Sequence, residues 1–508
     1  VSRVRTQPAA VNGNEHRDIG DTAYGDALVN VGGDLPDERF WLSFGDVMGL
    51  SGDYFGTGSV RCGDDRQADD GLGSGTLLDL ARIPGANGTR LGSRDEVICA
   101  LRVMTVDEAF VDPRFERGGR FAGFGHGRHG ASADVERRVR DRYLVLAATN
   151  DDHFVAAGGI THPRPRGGQP YGSAVVAYRR LHELALEHAC RLGRTGTDLS
   201  RAMAREAAAQ HFLTDAITAG HMRTPVAQIR RFWRSRYPEF WDELQRRVAA
   251  DTASTLRELA WALRRLPERF VHDASLTALK RRTSRYPPLS VGDFLARLFH
   301  DWDNVHGLTV DGGGVVFGDG HVREGVTREL ALAASRAGID DVEAAFDLGA
   351  AGSCATGEPL YDAVRAATGA GRFFVAESRI PRVASSNPSQ SWRAADIQTL
   401  WETPIVGSSG TTVGEALTEM MRPDGYFIRQ LDRLGQGLVE PHGLLAAPLL
   451  GGWLARKGAR AYNRGFVAPL AAQPRQAILS VIDADATGGA GAVGAAIRRS
   501  PQRAAHVA

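Results

Sequence analysis

The 508-residue sequence predicts a mainly α-helical protein, a helical bundle that gathers metal ligands, and three observations predict it. Most long segments between residues 132 and 346 place apolar side chains at intervals of three and four, the signature of helices with one buried face. Four of these helical segments bring His or carboxylate groups to one end or one face, which is how helical bundles build metal sites in their cores. The one clear β signal in this part is a single hairpin with a glycine turn over residues 308–322.

In chain order, residues 1–58 carry His16 and then an apolar run over 40–55. This run reads as a short helix whose glycine-rich end delivers Asp53 beside Tyr54 and Phe55. Asp46 lies in the same run, and the more ordinary role for it is a cap or turn residue. Residues 58–130 are rich in Gly, Asp and Arg and read as an irregular insertion with one helix near 96–104. His126 and His129 within it fit a surface loop better than a metal pair. A helix over 135–149 runs into Asp152-His153-Phe154, and a proline-containing loop over 158–172 holds His162. The next helix spans 173–192 and sets Tyr178 and His182 four apart; His182 reads equally as a core histidine or as a partner of the site. Ser200 or Asp198 can cap the helix that follows. An amphipathic helix over 238–266 comes next, and a helix beginning at 291 ends in a cluster of His300, Asp301, Asp303 and His306. Past the hairpin, helices over 326–337 and 340–346 complete a first domain, residues 1–349. Residues 350–508 form a C-terminal extension with helices near 414–421 and 425–434 and no motif that carries chemistry.

The chain is organised around residues 209–225, which set His211, Asp215 and His221 in the spacing H-x3-D-x5-H. Positions four apart share a helix face, so His211 and Asp215 point into one space. Ten residues beyond His211, His221 would sit about 80° off that face if the helix continued. Gly220 is a breaker and Pro225 a stop, so the expectation is that His221 lies just past the helix end and turns back. Imidazole and carboxylate donors without thiolate suit catalytic Zn²⁺, since closed structural sites favour Cys.

Composition narrows the field. With 61 basic against 60 acidic residues the net charge is +1, which argues against a broad basic surface for nucleic acid. Cys62, Cys99, Cys190 and Cys354 show neither C-x2-C spacing nor the density of a disulfide framework. The first residues lack the apolar stretch of a Sec-type signal, so a cytoplasmic chain, export by another route or a signal already removed are the three expectations. No apolar run is long enough to span a bilayer. Residues 441–457 read as a buried helix or, less ordinarily, as a segment that dips into a lipid interface with Trp453 at headgroup level.

Together, His16, Asp53, His153, the H-x3-D-x5-H motif and the cluster at His300 resemble the zinc-dependent phospholipase C family. That family shares its helical fold with the fungal-type zinc nucleases that cut single strands. The central spacing is the same, Gly52-Asp53-Tyr54 is similar to the family's small-residue-Asp-Tyr segment, Asp152-His153-Phe154 to its His-Phe segment, and His16 to its early helical histidine. The resemblance covers about residues 14–310, thinly outside the motifs, and points to a larger bacterial branch. It implies a trinuclear zinc site: Asp53, His153, His211 and Asp215 around the first ion, Asp215 bridging to a second held by His16, and His221 with His300 and Asp303 on the third. The sequence departs from the family in two places. The family's His-x3-Glu pair is absent after the central motif, so His300 with Asp303 substitutes for it, with Asp301 or His306 as alternatives. Some members also use an N-terminal Trp as a ligand, whereas His16 lies fifteen residues into this chain, so the expected count is two or three ions.

The activity the resemblance implies is hydrolysis of glycerophospholipids to diacylglycerol and a phosphorylated headgroup, with phospholipid as partner and peripheral contact with the membrane. Neighbouring zinc ions would lower the pKa of water and neutralise phosphate oxygens, while Asp53 orients or deprotonates the attacking water. The alternative within the same chemistry is a single-strand nuclease, for which Arg223, Arg230, Arg231, Phe232 and Trp233 supply the residue types. The alternative outside catalysis is a metal-stabilised scaffold or effector.

Overall fold

A computed structural model describes residues 13–32, 39–55, 96–101, 150–155, 173–224, 265–283, 307–318 and 325–384, with individual positions between 104 and 146 and between 226 and 304, and residue 322. Most of them are helical, as the periodicity predicts. In chain order the elements are α1 (Gly13–Tyr24), β1 (Leu28–Asn30), β2 (Trp41–Ser43), α2 (Phe44–Leu50), a 3₁₀ turn (Asp151–His153), α3 (Ala174–Thr195), α4 (Ser200–Asp215), α5 (Ala219–Arg223), α6 (Glu268–Thr283), β3 (Leu308–Thr309), β4 (Val315–Val316), α7 (Gly325–Ala350), α8 (Glu358–Ala367) and α9 (Val375–Ser378). His126, His129, His162, Asp301, His306, Arg231, Phe232, Trp233 and the helices expected near 414–421 and 425–434, like the stretch 441–457, lie outside the described residues.

Helix α4 is the axis of the bundle. Its sequence is dominated by alanine, and all but two of its residues, Arg201 and Arg205, are buried. A helix buried on nearly every face has to be covered on every side. Helices α3, α7, α1 and α2 do so. Helices α3 and α7 cross where Gly193 and Gly349 meet: a Cβ on Gly193 would come within 2.0 Å of the Phe346 carbonyl oxygen. Their backbones therefore touch, and no other residue type fits there. A disulfide between Cys190 and Cys354 fastens the same crossing, closing a separation of 164 residues.

The N-terminal part reaches α4 through a small antiparallel ladder. Leu28 pairs with Ser43 and Asn30 with Trp41, which folds α2 back against α1. Ser43 caps α2 by accepting from the Asp46 amide, and Asp46 itself pairs with Arg17 of α1 at 3.0 Å. Its role is thus an inter-helix tie in the first turn rather than a ligand.

Two helix boundaries differ from the sequence reading. The region 326–346 is one helix, α7, which continues through Gly338. The glycine does not break it because its bare backbone makes room for buried polar side chains from α3 and α4. Residues 350–384, read as the start of the C-terminal extension, pack onto the same core through Leu360, Tyr361, Val364, Phe374 and Ala376. The hairpin forms as expected, with Leu308 opposite Val316 and positive φ at Gly312 and Gly313. No described helix is long and apolar enough to cross a membrane.

Candidate metal centre

Helix α4 ends at Asp215, not at Gly220. Thr218 takes an extended conformation, and its hydroxyl donates to the Asp215 carbonyl at 2.9 Å, satisfying a group the helix end would leave orphaned. The chain then re-enters a helix, α5, and Gly220 and His221 lie within it. This break, five residues before Gly220, turns His221 back toward Asp215. Gly220 matters for a different reason: its amide donates to Asn304 Oδ1 at 2.6 Å, and a Cβ would collide with that side chain.

Asp215 is completely buried and stands at the centre of four imidazoles. Its Oδ2 lies 2.8 Å from His153 Nδ1 and 3.4 Å from His211 Nε2; its Oδ1 lies 3.4 Å from His16 Nε2 and 4.0 Å from His221 Nε2. Among the described residues two groups of three His, Asp, Glu or Cys donors lie close enough together to hold a metal ion: His16, His211 and Asp215, and Asp53, His153 and His211. They share His211. Asp53 is half-buried, whereas the other donors are buried.

The tautomers follow from the acceptors. His211 Nδ1 lies 3.0 Å from the Met48 carbonyl oxygen, which can only accept. The Thr214 hydroxyl already donates to the carbonyls of Gln210 and His211, so His16 Nδ1, 2.6 Å away, is the donor to it. The Thr218 hydroxyl likewise donates to the Asp215 carbonyl, and His221 Nδ1 donates to it across 2.7 Å. Three histidines therefore fix the Nδ1 proton on the protein and turn the Nε2 lone pair inward, the state a metal ligand needs. His16 Nε2 and Asp215 Oδ1 have no hydrogen-bond partner although both are buried, and Asp215 Oδ2 faces the imidazole nitrogens of His153 and His211. Such groups are rare unless something binds them.

The electrostatics agree. Burial opposes the charge on Asp215, but His221, His211 and His153 outweigh it and hold the carboxyl well below its usual range. Burial pushes His211 and His221 well below the normal imidazole value, helped by the neighbouring His16 and His300 respectively. For His16 and His153 burial is overcome by Asp215, so His16 is raised and His153 reaches about 9.

Two further contacts shape the site. Gly52, at φ +86°, brings bare backbone against His211 and His153; a Cβ there would stand 2.5 Å from His211 Nε2. The 3₁₀ turn that bears His153 is anchored by Arg230, which donates to Asn150 at 3.2 Å and Asp293 at 2.7 Å and pairs with Asp151. Thr214, Thr218, Gly52 and Arg230 carry no ligand signature, so reading the sequence for donors passes over them.

The third ligand set expected from the sequence is assembled differently. His300 stacks edge-on against His221, with ring centroids 4.6 Å apart, and both rings face Phe154. His300 Nε2 lies 3.2 Å from Asn304 Nδ2. Asp303 instead takes the guanidinium of Arg223 on both its oxygens, at 2.6 and 2.8 Å, in a buried pair. The guanidinium suits a buried carboxylate because its fork matches both oxygens.

Comparison with known proteins adds nothing to this geometry. No family model, curated protein or solved structure matches the chain.

Proposed function

We propose that the chain is a zinc-dependent phosphodiesterase that hydrolyses glycerophospholipids to diacylglycerol and a phosphorylated headgroup. The observation that supports metal chemistry is the set of three imidazoles turned by protein acceptors toward one orphaned, buried carboxylate. The choice of phospholipid rests on the motif resemblance: the central spacing with Asp53, His153 and His16 in matching order. His16, Asp53, His153, His211 and Asp215 would hold the ions. Zinc bound there supplies a lowered pKa for water and positive charge against phosphate oxygens. Asp53, the most exposed of these donors, would orient an attacking water and accept its proton. Asp215 keeps the imidazoles in register.

The nuclease reading loses ground. Two of the arginines it would use, Arg223 and Arg230, are buried in ion pairs with Asp303, Asp293 and Asp151. The test is hydrolysis of phosphatidylcholine vesicles against single-stranded DNA. Headgroup phosphate release that stops in chelator and returns with Zn²⁺ is the expected result. DNA cleavage with no lipid hydrolysis would make the protein a nuclease. Bound zinc with neither activity would make it a scaffold.

A further inference from the structure

Of the eleven buried side-chain atoms without a hydrogen-bond partner among the described residues, nine gather in two places, Asp46 Oδ1 and Thr224 Oγ1 lying apart. One is the centre at Asp215. The other, which contains more of them, lies between α3, α4 and α7: Tyr178 Oη, His182 Nε2, Gln210 Oε1, Ser335 Oγ and both oxygens of Asp341. Each helix contributes from one face, Tyr178 and His182 from α3, Glu206 and Gln210 from α4, Ser335 and Asp341 from α7, and all six residues are fully buried. Gly338, midway between Ser335 and Asp341, leaves the space they need: a Cβ there would lie 2.4 Å from Glu206 Oε1 and 3.0 Å from Tyr178 Oη.

The arrangement repeats that of the first centre. His182 Nδ1 is held by Glu206 Oε2 at 2.6 Å, a carboxylate that fixes the ring. Its Nε2 faces Asp341 Oδ2 at 3.5 Å, close to the 3.4 Å that separates His16 Nε2 from Asp215 Oδ1. Two donors that each sit about 2 Å from one ion in tetrahedral geometry are separated by a little over 3 Å. Two carboxyl groups and one imidazole are buried here together, and buried charge is paired or binds metal. Glu206 and Asp215 are nine residues apart on α4 and so point to opposite sides of it. The two clusters are therefore separate.

We propose that the bundle core holds a second metal site, independent of the first, in which His182 and Asp341 bind one divalent first-row transition ion. Gln210, Ser335 and Tyr178 supply neutral oxygens around it, and Glu206 orients the imidazole. A nitrogen donor among oxygens and no thiolate favours an ion such as Zn²⁺ or Co²⁺ over Ca²⁺ or Mg²⁺. The first centre is half-open at Asp53; this one is sealed, with the Phe374 ring edge-on to His182 at 4.6 Å, and an ion in it would link three helices.

The test is crystallography of the full, unaltered chain saturated with Co²⁺, with anomalous data at the cobalt edge, alongside metal analysis of Asp341→Asn. An anomalous peak about 2 Å from His182 Nε2 is expected. Asp341→Asn should hold one ion fewer than the unaltered chain while keeping those that depend on His211. The absence of a peak at His182 in the Co²⁺-saturated crystal overturns the proposal, and ordered water there would then account for the orphaned atoms. The crystal decides even where Asp341→Asn fails to fold.

Discussion

Replacing Gly52 with alanine tests the candidate centre without removing any ligand. The added methyl would stand 2.5 Å from His211 Nε2 and Cδ2 and 3.0 Å from His153 Cε1. Ordinary contact begins near 3.4 Å, so the His211 ring must retreat by about 0.9 Å, the difference between 3.4 and 2.5. Zinc–nitrogen bonds are about 2.0–2.1 Å long, and a ligand displaced by nearly half that length releases its ion. The positive φ adds about 1–2 kcal/mol for an L-residue, and overpacking about 1–3 kcal/mol. The total of about 2–5 kcal/mol lies below the typical stability of a folded domain, so the chain should still fold. Metal analysis, thermal unfolding and headgroup release on one preparation form the assay. A folded protein with less metal and hydrolysis reduced by about 100-fold or more is the prediction. Gly196→Ala is the control, since its φ is +65° but nothing lies within 4 Å of the new Cβ; it should lose about 1–2 kcal/mol and no metal. Full metal content and activity in Gly52→Ala would refute the placement of His211 at the centre.

Further outcomes follow from the same contacts. Asp215→Ala should abolish hydrolysis and metal uptake together, measured by activity and metal analysis, because both of its oxygens face imidazoles. Arg223→Ala should destabilise the fold by about 3–5 kcal/mol in a denaturant titration, since it leaves the Asp303 carboxylate buried and unpaired by its main partner. Cys190→Ser should cost up to about 5 kcal/mol in the same titration, the chain-entropy value for a closed loop of 164 residues. In metal-free protein His182 is raised to about 10, burial being outweighed by Glu206 and Asp341. A raised folded-state pKa means stability that is complete below about 6.5 and lost as pH rises toward about 10. Unfolding midpoints of metal-free protein should therefore fall across that window, and less so in His182→Gln.

Much of the architecture was legible because local patterns and tertiary packing agree. Ser173 caps α3 where the apolar period begins, and the hairpin turns on Gly312 and Gly313. His211 and Asp215 share a face as the helical spacing requires, and His16, Asp53 and His153, far away in sequence, arrive at the same point. The differences come from contacts that no local pattern encodes. Gly338 reads as a break because its purpose lies across the bundle, in room for Glu206 and Tyr178. The end of α4 was placed at Gly220 because glycine is the usual terminator; the hydroxyl of Thr218 does that work instead. Asp303 looked like a ligand until Arg223, eighty positions earlier, appeared beside it. Cys190 and Cys354 share no spacing motif, and only the crossing of α3 with the segment after α7 brings them together. The cluster at His182 was half legible: the Tyr178–His182 pair shows its helical spacing, but no local pattern ties Glu206 and Asp341 to it.

His211 belongs to both candidate groups at the first centre, so the decisive measurement is the number of metal ions bound per chain before and after His211→Ala. With folding checked by circular dichroism, the variant should lose every ion of that centre and all phosphodiester hydrolysis, while retaining the separate ion at His182. A His211→Ala protein that binds as many ions as the unaltered chain, or hydrolyses phosphatidylcholine at the same rate, would contradict the assignment of this cluster as a metal centre.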